Sequence, residues 1–380
     1  VSDPREVEAR RLLARFGVAA PVSIIPVGGG HINLSWKIVP RSAFRVAAHP
    51  TRHAEPGTRN LLLQRLNPAV FPDGALVLRN VALVTAHLAR SARRLKLPDP
   101  ARCALRVIPA PGGEPGLAGE DGAWWRLVEF IDGTRSLERA DSPAVAREAG
   151  RAFGRFHRML ADYEGPPLAE TIPGFHDTAG RLARLEGAAA RDRAGRLGQV
   201  GGELALARSR AAHAALLPPL LASGTLPGRV VHNDAKLENV LLDARTGQAL
   251  AVVDLDTVMP GTLLYDVGDL IRSLASATDE DERDPGRITL RPEMIAALAG
   301  GFLEAGGALA AAERELFVFA GILLAYEQGV RFLTDYLEGD VYYRIVRPGQ
   351  NLDRCRAQFR LMECLEAGRG ALERQVRGEW

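Results

Sequence analysis

The chain has 380 residues, 47% of them apolar and 25% charged, with a formal net charge of +2. That length exceeds one ordinary domain and predicts two lobes, while the balanced charge, with no basic stripe or charge block, argues against nucleic-acid and membrane partners. The three cysteines, Cys103, Cys355 and Cys364, have neither metal-ligand nor disulfide-framework spacing and are expected to be reduced thiols of a cytoplasmic protein.

The opening VSDPREVEARRLLARFG lacks the apolar core of a signal peptide. Asp3 caps and Pro4 opens an amphipathic helix ending near Gly17. Strands at 22–27 and 34–39 then flank Gly28-Gly29-Gly30-His31-Ile32-Asn33. Such a turn either lays backbone N–H groups over a phosphate or closes an ordinary hairpin; neither a Walker A lysine nor a dinucleotide-binding helix follows it. Residues 40–58 are polar and punctuated by Pro and Gly, as in an exposed hairpin or loop. A third strand at 60–66, a helix at 74–94 and strands at 105–109 and 124–131 complete five strands around one helix.

Asp132-Gly133 ends the last of these strands, and the chain turns helical. Ser142-Pro143 opens a helix through 160, with further helices at 178–191, 203–217, 266–276, 292–305, 308–336 and 351–367. The predicted class is α+β with two lobes: 1–128, a hinge at 129–133, and a mainly helical 134–380. The longest apolar run, 316–326, is short for a bilayer and fits a buried helix.

Residues 229–272 concentrate the chemistry. Short apolar runs at 229–231 and 249–253 read as buried strands, the first delivering His232, Asn233, Asp234, Lys236 and Asn239, the second Asp254 and Asp256. A hairpin turning at 243–247 is expected to return the second run beside the first. Phosphoryl transfer asks for a carboxylate to orient a hydroxyl, and for an Asn and an Asp to hold Mg2+ on the phosphates of a nucleotide. In these terms Asp234 accepts from the attacking hydroxyl, or is a loop aspartate; Asn239 and Asp254 offer hard oxygens to the cation. Asp256 either binds metal through water or braces its loop. His232 suits a loop-holding role better than that of a base, and Lys236 either reaches the γ-phosphate or is a solvated cation. Only nine residues separate Asp256 from Asp266, too few for a peptide-docking segment, so the acceptor is expected to be small.

The pattern H-x-D-x-x-x-x-N followed by D-x-D resembles the aminoglycoside phosphotransferase and choline kinase superfamily, relatives of protein kinases. GGGHIN (28–33), LLLQRLNPAVF (61–71), GFHDT (174–178), HNDAKLENVLLD (232–243), VVDLDTVMPGTLLYDVGDLIR (252–272) and GVRFLTDYLEGDVYY (329–343) are similar to stretches of N-acetylhexosamine 1-kinases within it. The resemblance implies a protein-kinase-like fold, with Gly28, Gly29 and Gly30 covering ATP and Glu129 and Ile131 at the adenine hinge. Arg65 on the third strand would hold the α- and β-phosphates in place of the usual Lys, although helix 74–94 has no Glu where a partner is expected. The Asp of the D-L motif, by position Asp269, would support the catalytic loop from beneath, or simply add charge at a helix N-terminus. Near the sugar the resemblance implies His31, Trp124, Phe175, Arg331 and Tyr336. Trp124 and Phe175 are also ordinary core residues, and Arg331 and Tyr336 meet only if their helix ends between them. The implied reaction is phosphorylation of N-acetylglucosamine or N-acetylgalactosamine at the anomeric hydroxyl by Mg2+ and ATP. The alternatives are a kinase for an aminoglycoside, choline or homoserine, or a non-catalytic nucleotide- or sugar-binding regulator. Oligomeric state is left open.

Overall fold

The computed structural model describes residues 4–18, 23–27, 33–40 and 59–379. The glycine turn with Gly28, Gly29, Gly30 and His31, and the segment 41–58, lie outside the described residues. In chain order the elements are α1 (Pro4–Arg15), β1 (Ser23–Val27), β2 (Leu34–Val39), β3 (Leu61–Arg65), α2 (Gly74–Arg94), β4 (Val107–Ile108), β5 (Leu117–Ala118), β6 (Trp124–Glu129) and β7 (Thr134–Arg135). There follow α3 (Pro143–Leu160), α4 (Thr178–Arg191), α5 (Gly201–Ser209), α6 (Leu217–Ala222), β8 (Arg229–Val231), β9 (Val240–Asp243), β10 (Ala249–Val252) and β11 (Met259–Gly261). The chain closes with α7 (Leu263–Leu274), α8 (Pro292–Glu304), α9 (Ala311–Glu315), α10 (Phe317–Glu338) and α11 (Gln350–Arg377).

Two units emerge. The first comprises Val1–Arg135, Asp162–Pro173 and Leu241–Met259; the second comprises Ser136–Ala161, Gly174–Val240 and Pro260–Trp380. The chain therefore leaves the first unit after Arg135 and returns to it twice.

In the first unit, β1, β2, β3, β6 and β4 form an antiparallel sheet in that order, with β5 also on β6. Side chains alternate across a strand, so Trp36 and Ile38 of β2 and Leu61 and Leu63 of β3 fall on one buried face. Ala9, Leu12 and Leu13 of α1, with Phe16 just beyond it, share that core, and Trp36 stacks on Trp125 with ring centroids 5.4 Å apart.

The second unit is built on helix pairs. Gly150 and Gly154 let α3 approach α8 so closely that an added Cβ would lie 2.1 and 2.2 Å from the carbonyls of Leu298 and Phe302. Gly301 of α8 meets the Arg147 carbonyl in the same way, at 2.0 Å. α10 is long and apolar enough to cross a membrane by length and composition, but most of it is buried within its own unit, as a core helix.

Three expectations change. Helix 203–217 divides into α5, a 3-10 turn at Ala211–Ala215 and α6, because the Pro218-Pro219 pair opens a new helix. Helix 308–336 divides at Leu316 into α9 and α10. The hairpin partner of β10 is β9, and β8 pairs instead with β11. The 3-10 turn Leu237–Asn239 explains this, because it reverses the chain after Asp234 and starts a new strand at Val240.

Candidate active site

In the second unit β8 is followed by His232, whose fully buried ring lies edge-on to Phe153 and Phe156 of α3. Its Nδ1 accepts the amide of Asp234 at 3.3 Å, so the ring shapes the loop instead of facing a substrate. Asn233 adopts a left-handed backbone, φ 64°, which Asn tolerates better than most residues. That turn delivers Asp234.

The support beneath the loop is Asp266, not Asp269. Asp266 is fully buried and accepts the backbone N–H groups of His232 at 2.8 Å and Asn233 at 2.7 Å, while Nε2 of His157 from α3 faces it at 2.9 Å. Burial opposes its charge, but His157, His232 and the His232 backbone N–H that it accepts hold its carboxyl below the usual range. Thr262 caps α7 from its hydroxyl, so the helix begins at Leu263 and Asp266 lies in its first turn. Asp269, one turn on, pairs with Arg272 at 2.8 Å. Burial raises its pKa, and the charge of Asp234 adds to the rise.

Asp234 itself keeps a side chain 29% exposed. Lys236 Nζ lies 3.3 Å from Oδ2, and Asn239 Nδ2 donates to the Asp234 carbonyl at 2.8 Å. Burial works against its charge, yet Lys236, His232 and Arg272 hold the carboxyl below its ordinary value, so it is an acceptor at neutral pH. Turning its amide nitrogen to the Asp234 carbonyl leaves the Asn239 oxygen Oδ1 as the atom that could meet a cation.

Three of the expected acceptor residues belong to this unit. The Arg331 guanidinium lies between the rings of Phe175 and Tyr343, 5.3 and 5.5 Å from their centroids, and donates to Gln328 at 2.9 Å. Burial opposes the Arg331 charge, but Tyr343, Glu327, Tyr342 and Asp234 together raise its pKa. Tyr336 is not with them: α10 continues through both positions, and the Tyr336 hydroxyl donates to Gln199 at 2.7 Å under the Arg196 guanidinium. Beside Phe175, His176 meets Glu327 at 2.9 Å, and Thr178 donates to the same carboxylate at 2.5 Å. Burial pushes Glu327 up, yet His176, Arg181 and Arg331 pull its pKa down to about 2. Arg181 shows the opposite balance, lowered to about 10 by burial and by Arg331.

In the first unit β10 runs into Asp254, itself left-handed at φ 61°, and the 3-10 turn Leu255–Thr257. Asp256 is 3% exposed and its carboxylate is fully engaged: Oδ1 takes Arg126 Nη1 and Oδ2 takes Asn33 Nδ2 at 2.6 Å. Arg126 continues to Gln64 at 2.9 Å and Gln64 to Ser35 at 3.1 Å, a polar row across β6, β3 and β2. Thr171 fixes the Asp256 carbonyl at 3.0 Å, and Asn80 of α2 donates to the Val258 carbonyl at 3.1 Å. Arg65 pairs with Asp121. Glu129 accepts from Arg59 at 2.8 Å and Arg106 at 2.9 Å, and the Ile131 carbonyl takes the Thr134 hydroxyl at 2.7 Å. Trp124 packs against Gly74 at the start of α2.

Arg126, Asn33, His176, Glu327 and Tyr343 are the residues the sequence reading missed. A charged residue inside an apolar strand was the available signal for Arg126. No group of three or more His, Cys, Asp or Glu side chains forms a metal cage among the described residues. Mg2+ does not ask for one: it is held by one or two oxygen ligands together with substrate phosphates, and Asn and Asp oxygens fit it.

Among solved structures the chain is similar to a microcompartment-associated aminopropanol kinase, at 16% identity and TM-score 0.57, covering 97% of this chain and 98% of that one. It is also similar to an amicoumacin kinase in complex with AMP-PNP, Ca2+ and Ami, at 13% identity and TM-score 0.60, covering 95% and 94%. An aminoglycoside phosphotransferase from Alicyclobacillus acidocaldarius aligns at 16% identity and TM-score 0.54, covering 97% and 96%. These likenesses carry the fold, a protein-kinase-like arrangement with a sheet-rich N-terminal part and a larger helical part. The sequence matches the phosphotransferase enzyme family APH over residues 4–316, and with that match the chain belongs to this family of small-molecule phosphotransferases.

Proposed function

We propose that this protein is an ATP- and Mg2+-dependent kinase that phosphorylates an N-acetylhexosamine at its anomeric hydroxyl. The observation carrying the acceptor class is the Arg331 guanidinium between Phe175 and Tyr343, with Arg181 and His176 close by and Glu327 balancing them. Aromatic faces with fork-shaped donors suit a neutral, hydroxyl-rich ring. The surplus of positive charge disfavours cationic acceptors such as aminoglycosides, choline or amino alcohols.

In this reading Asp234, ionised and held by its own backbone, accepts a hydrogen bond from the anomeric hydroxyl and orients an oxygen lone pair for attack. Its proton follows late, as the bond to phosphorus forms, so positioning matters more than basicity. Lys236, beside Asp234, offers a cation to the transferring phosphoryl group or the leaving oxygen. Asn239 and Asp254 would hold Mg2+, which supplies charge neutralisation on the triphosphate. Asp256, engaged by Arg126 and Asn33, acts by bracing the turn that carries Asp254. Gly28, Gly29 and Gly30 would cover the phosphates, Glu129 and Ile131 would border adenine, and His31 and Trp124 complete the proposed contacts. Arg65 would reach phosphate by exchanging Asp121 for it.

The second reading, an amino-alcohol or aminoglycoside acceptor, is favoured only by the substrates named for fold relatives. An ADP-release screen across free hexoses, N-acetylhexosamines, amino alcohols and aminoglycosides separates the two. N-acetylhexosamines should give the highest kcat/KM. Preference for a cationic acceptor would overturn the reading, and ATP binding without turnover on any acceptor would favour a non-catalytic regulator.

A further inference from the structure

Asn233 is the left-handed residue that aims Asp234, and both of its backbone groups are engaged by side chains from distant parts of the chain. Its N–H goes to Asp266 at 2.7 Å, and its carbonyl faces Nε2 of His176 at 3.2 Å. A carbonyl oxygen only accepts, so Nε2 must carry a proton. The other ring nitrogen, Nδ1, faces Glu327 Oε1 at 2.9 Å. Glu327 is 1% exposed, with Thr178 on its second oxygen and Arg181 3.6 Å from the first. The imidazole also stacks on Tyr265 of α7, centroids 4.3 Å apart and planes 24° from parallel. Four constraints therefore fix the ring: a carboxylate, a carbonyl, a stacked phenol and the edge of Phe175 at 4.9 Å. A histidine needed only to fill space would not require the second nitrogen to meet the catalytic loop.

We propose that His176, oriented by Glu327, is a positioning residue that clamps the Asn233 carbonyl and so sets the direction of the Asp234 carboxylate. The proposal rests on Asp234 being the carboxylate that orients the acceptor. The clamp and the Asp266 contact act on opposite sides of one residue: Asp266 holds its N–H, and His176 stops the following peptide from rotating. A rotated Asn233 peptide would move Asp234 while leaving the nucleotide contacts unaltered.

The test compares His176→Phe, which keeps a ring on Tyr265 but removes the donor, with His176→Gln, whose amide nitrogen can still donate to the carbonyl. Hydrogen exchange of the peptide covering 229–240 is read in the full chain, alongside kcat and KM on the acceptor found by screening. In His176→Phe the 232–234 amides should exchange faster. Its kcat should fall about 10- to 100-fold with little change in KM for ATP, the size expected when a reacting group is misplaced by a fraction of an ångström to an ångström. His176→Gln should recover most of both. Unchanged exchange and kcat in His176→Phe would overturn the clamp. So would equal losses in both variants with matching drops in melting temperature, which mark a packing role. Asp234→Asn is run in parallel: if it keeps turnover, the reading of Asp234 fails, whereas the exchange result still decides whether His176 holds the loop.

Discussion

Two loops of this protein each follow a short strand with an aspartate, and they treat the carboxylate in opposite ways. After β8, the second unit fixes the backbone on either side of Asp234 through Asp266, His232, His176 and Asn239, while the carboxylate stays partly exposed beside Lys236 and the Asn239 amide. After β10, the first unit consumes both oxygens of Asp256 in Arg126 and Asn33. Holding the main chain and leaving the side chain open suits chemistry. Consuming the side chain suits support, because a buried charge is tolerated only when paired. Residue type and position after a strand do not separate the two cases; the partners do.

The largest effect should come from the open carboxylate. Asp234→Asn is expected to lower kcat by about 100- to 10,000-fold, the usual contribution of a positioned acid or base, with nucleotide affinity nearly unchanged by calorimetry. The consumed carboxylate should fail differently. Asp256→Asn leaves Arg126 buried without its countercharge and should destabilise the fold by about 3–5 kcal/mol in denaturant unfolding. If Asp256 instead serves the cation, the variant will keep its stability and need more Mg2+, which would break the comparison.

Glu327 extends the comparison to a third buried carboxylate. Its folded pKa of about 2 lies below the ordinary value, so its stabilising effect is complete above about pH 4.5 and fades as pH falls towards 2, worth on the order of 3 kcal/mol. Glu327→Gln should therefore lose less stability than wild type over that acid range, as followed by circular dichroism. The smallest effect lies away from both loops. Gly154→Ala, pressed on the Phe302 carbonyl, should cost about 1–3 kcal/mol by overpacking without altering KM.

Elements with local signals were legible in the sequence. Pro143 opens α3 after Ser142, Asp177 caps α4 at Thr178, and the apolar spacing of 74–94 marks α2 to the residue. Elements made by distant pairing were not: β5, β7 and β11 are two or three residues long and exist only through their partners. The candidate site divides in the same way. The acidic cluster of 232–256 is visible in sequence because its members are neighbours. Asp266 was displaced by one helical turn in the reading because Thr262 starts α7 earlier than the charge pattern suggests. Arg126 with Asp256 and His176 with Glu327 stand 130 and 151 residues apart, and no local pattern links residues at such separations.

The most direct measurement is the identity of the product formed by wild-type protein from ATP, Mg2+ and N-acetylglucosamine or N-acetylgalactosamine, read by 31P NMR. A phosphomonoester coupled to the anomeric proton, absent in Asp234→Asn, is the predicted result. Phosphate on another hydroxyl, or only inorganic phosphate from ATP, would contradict it.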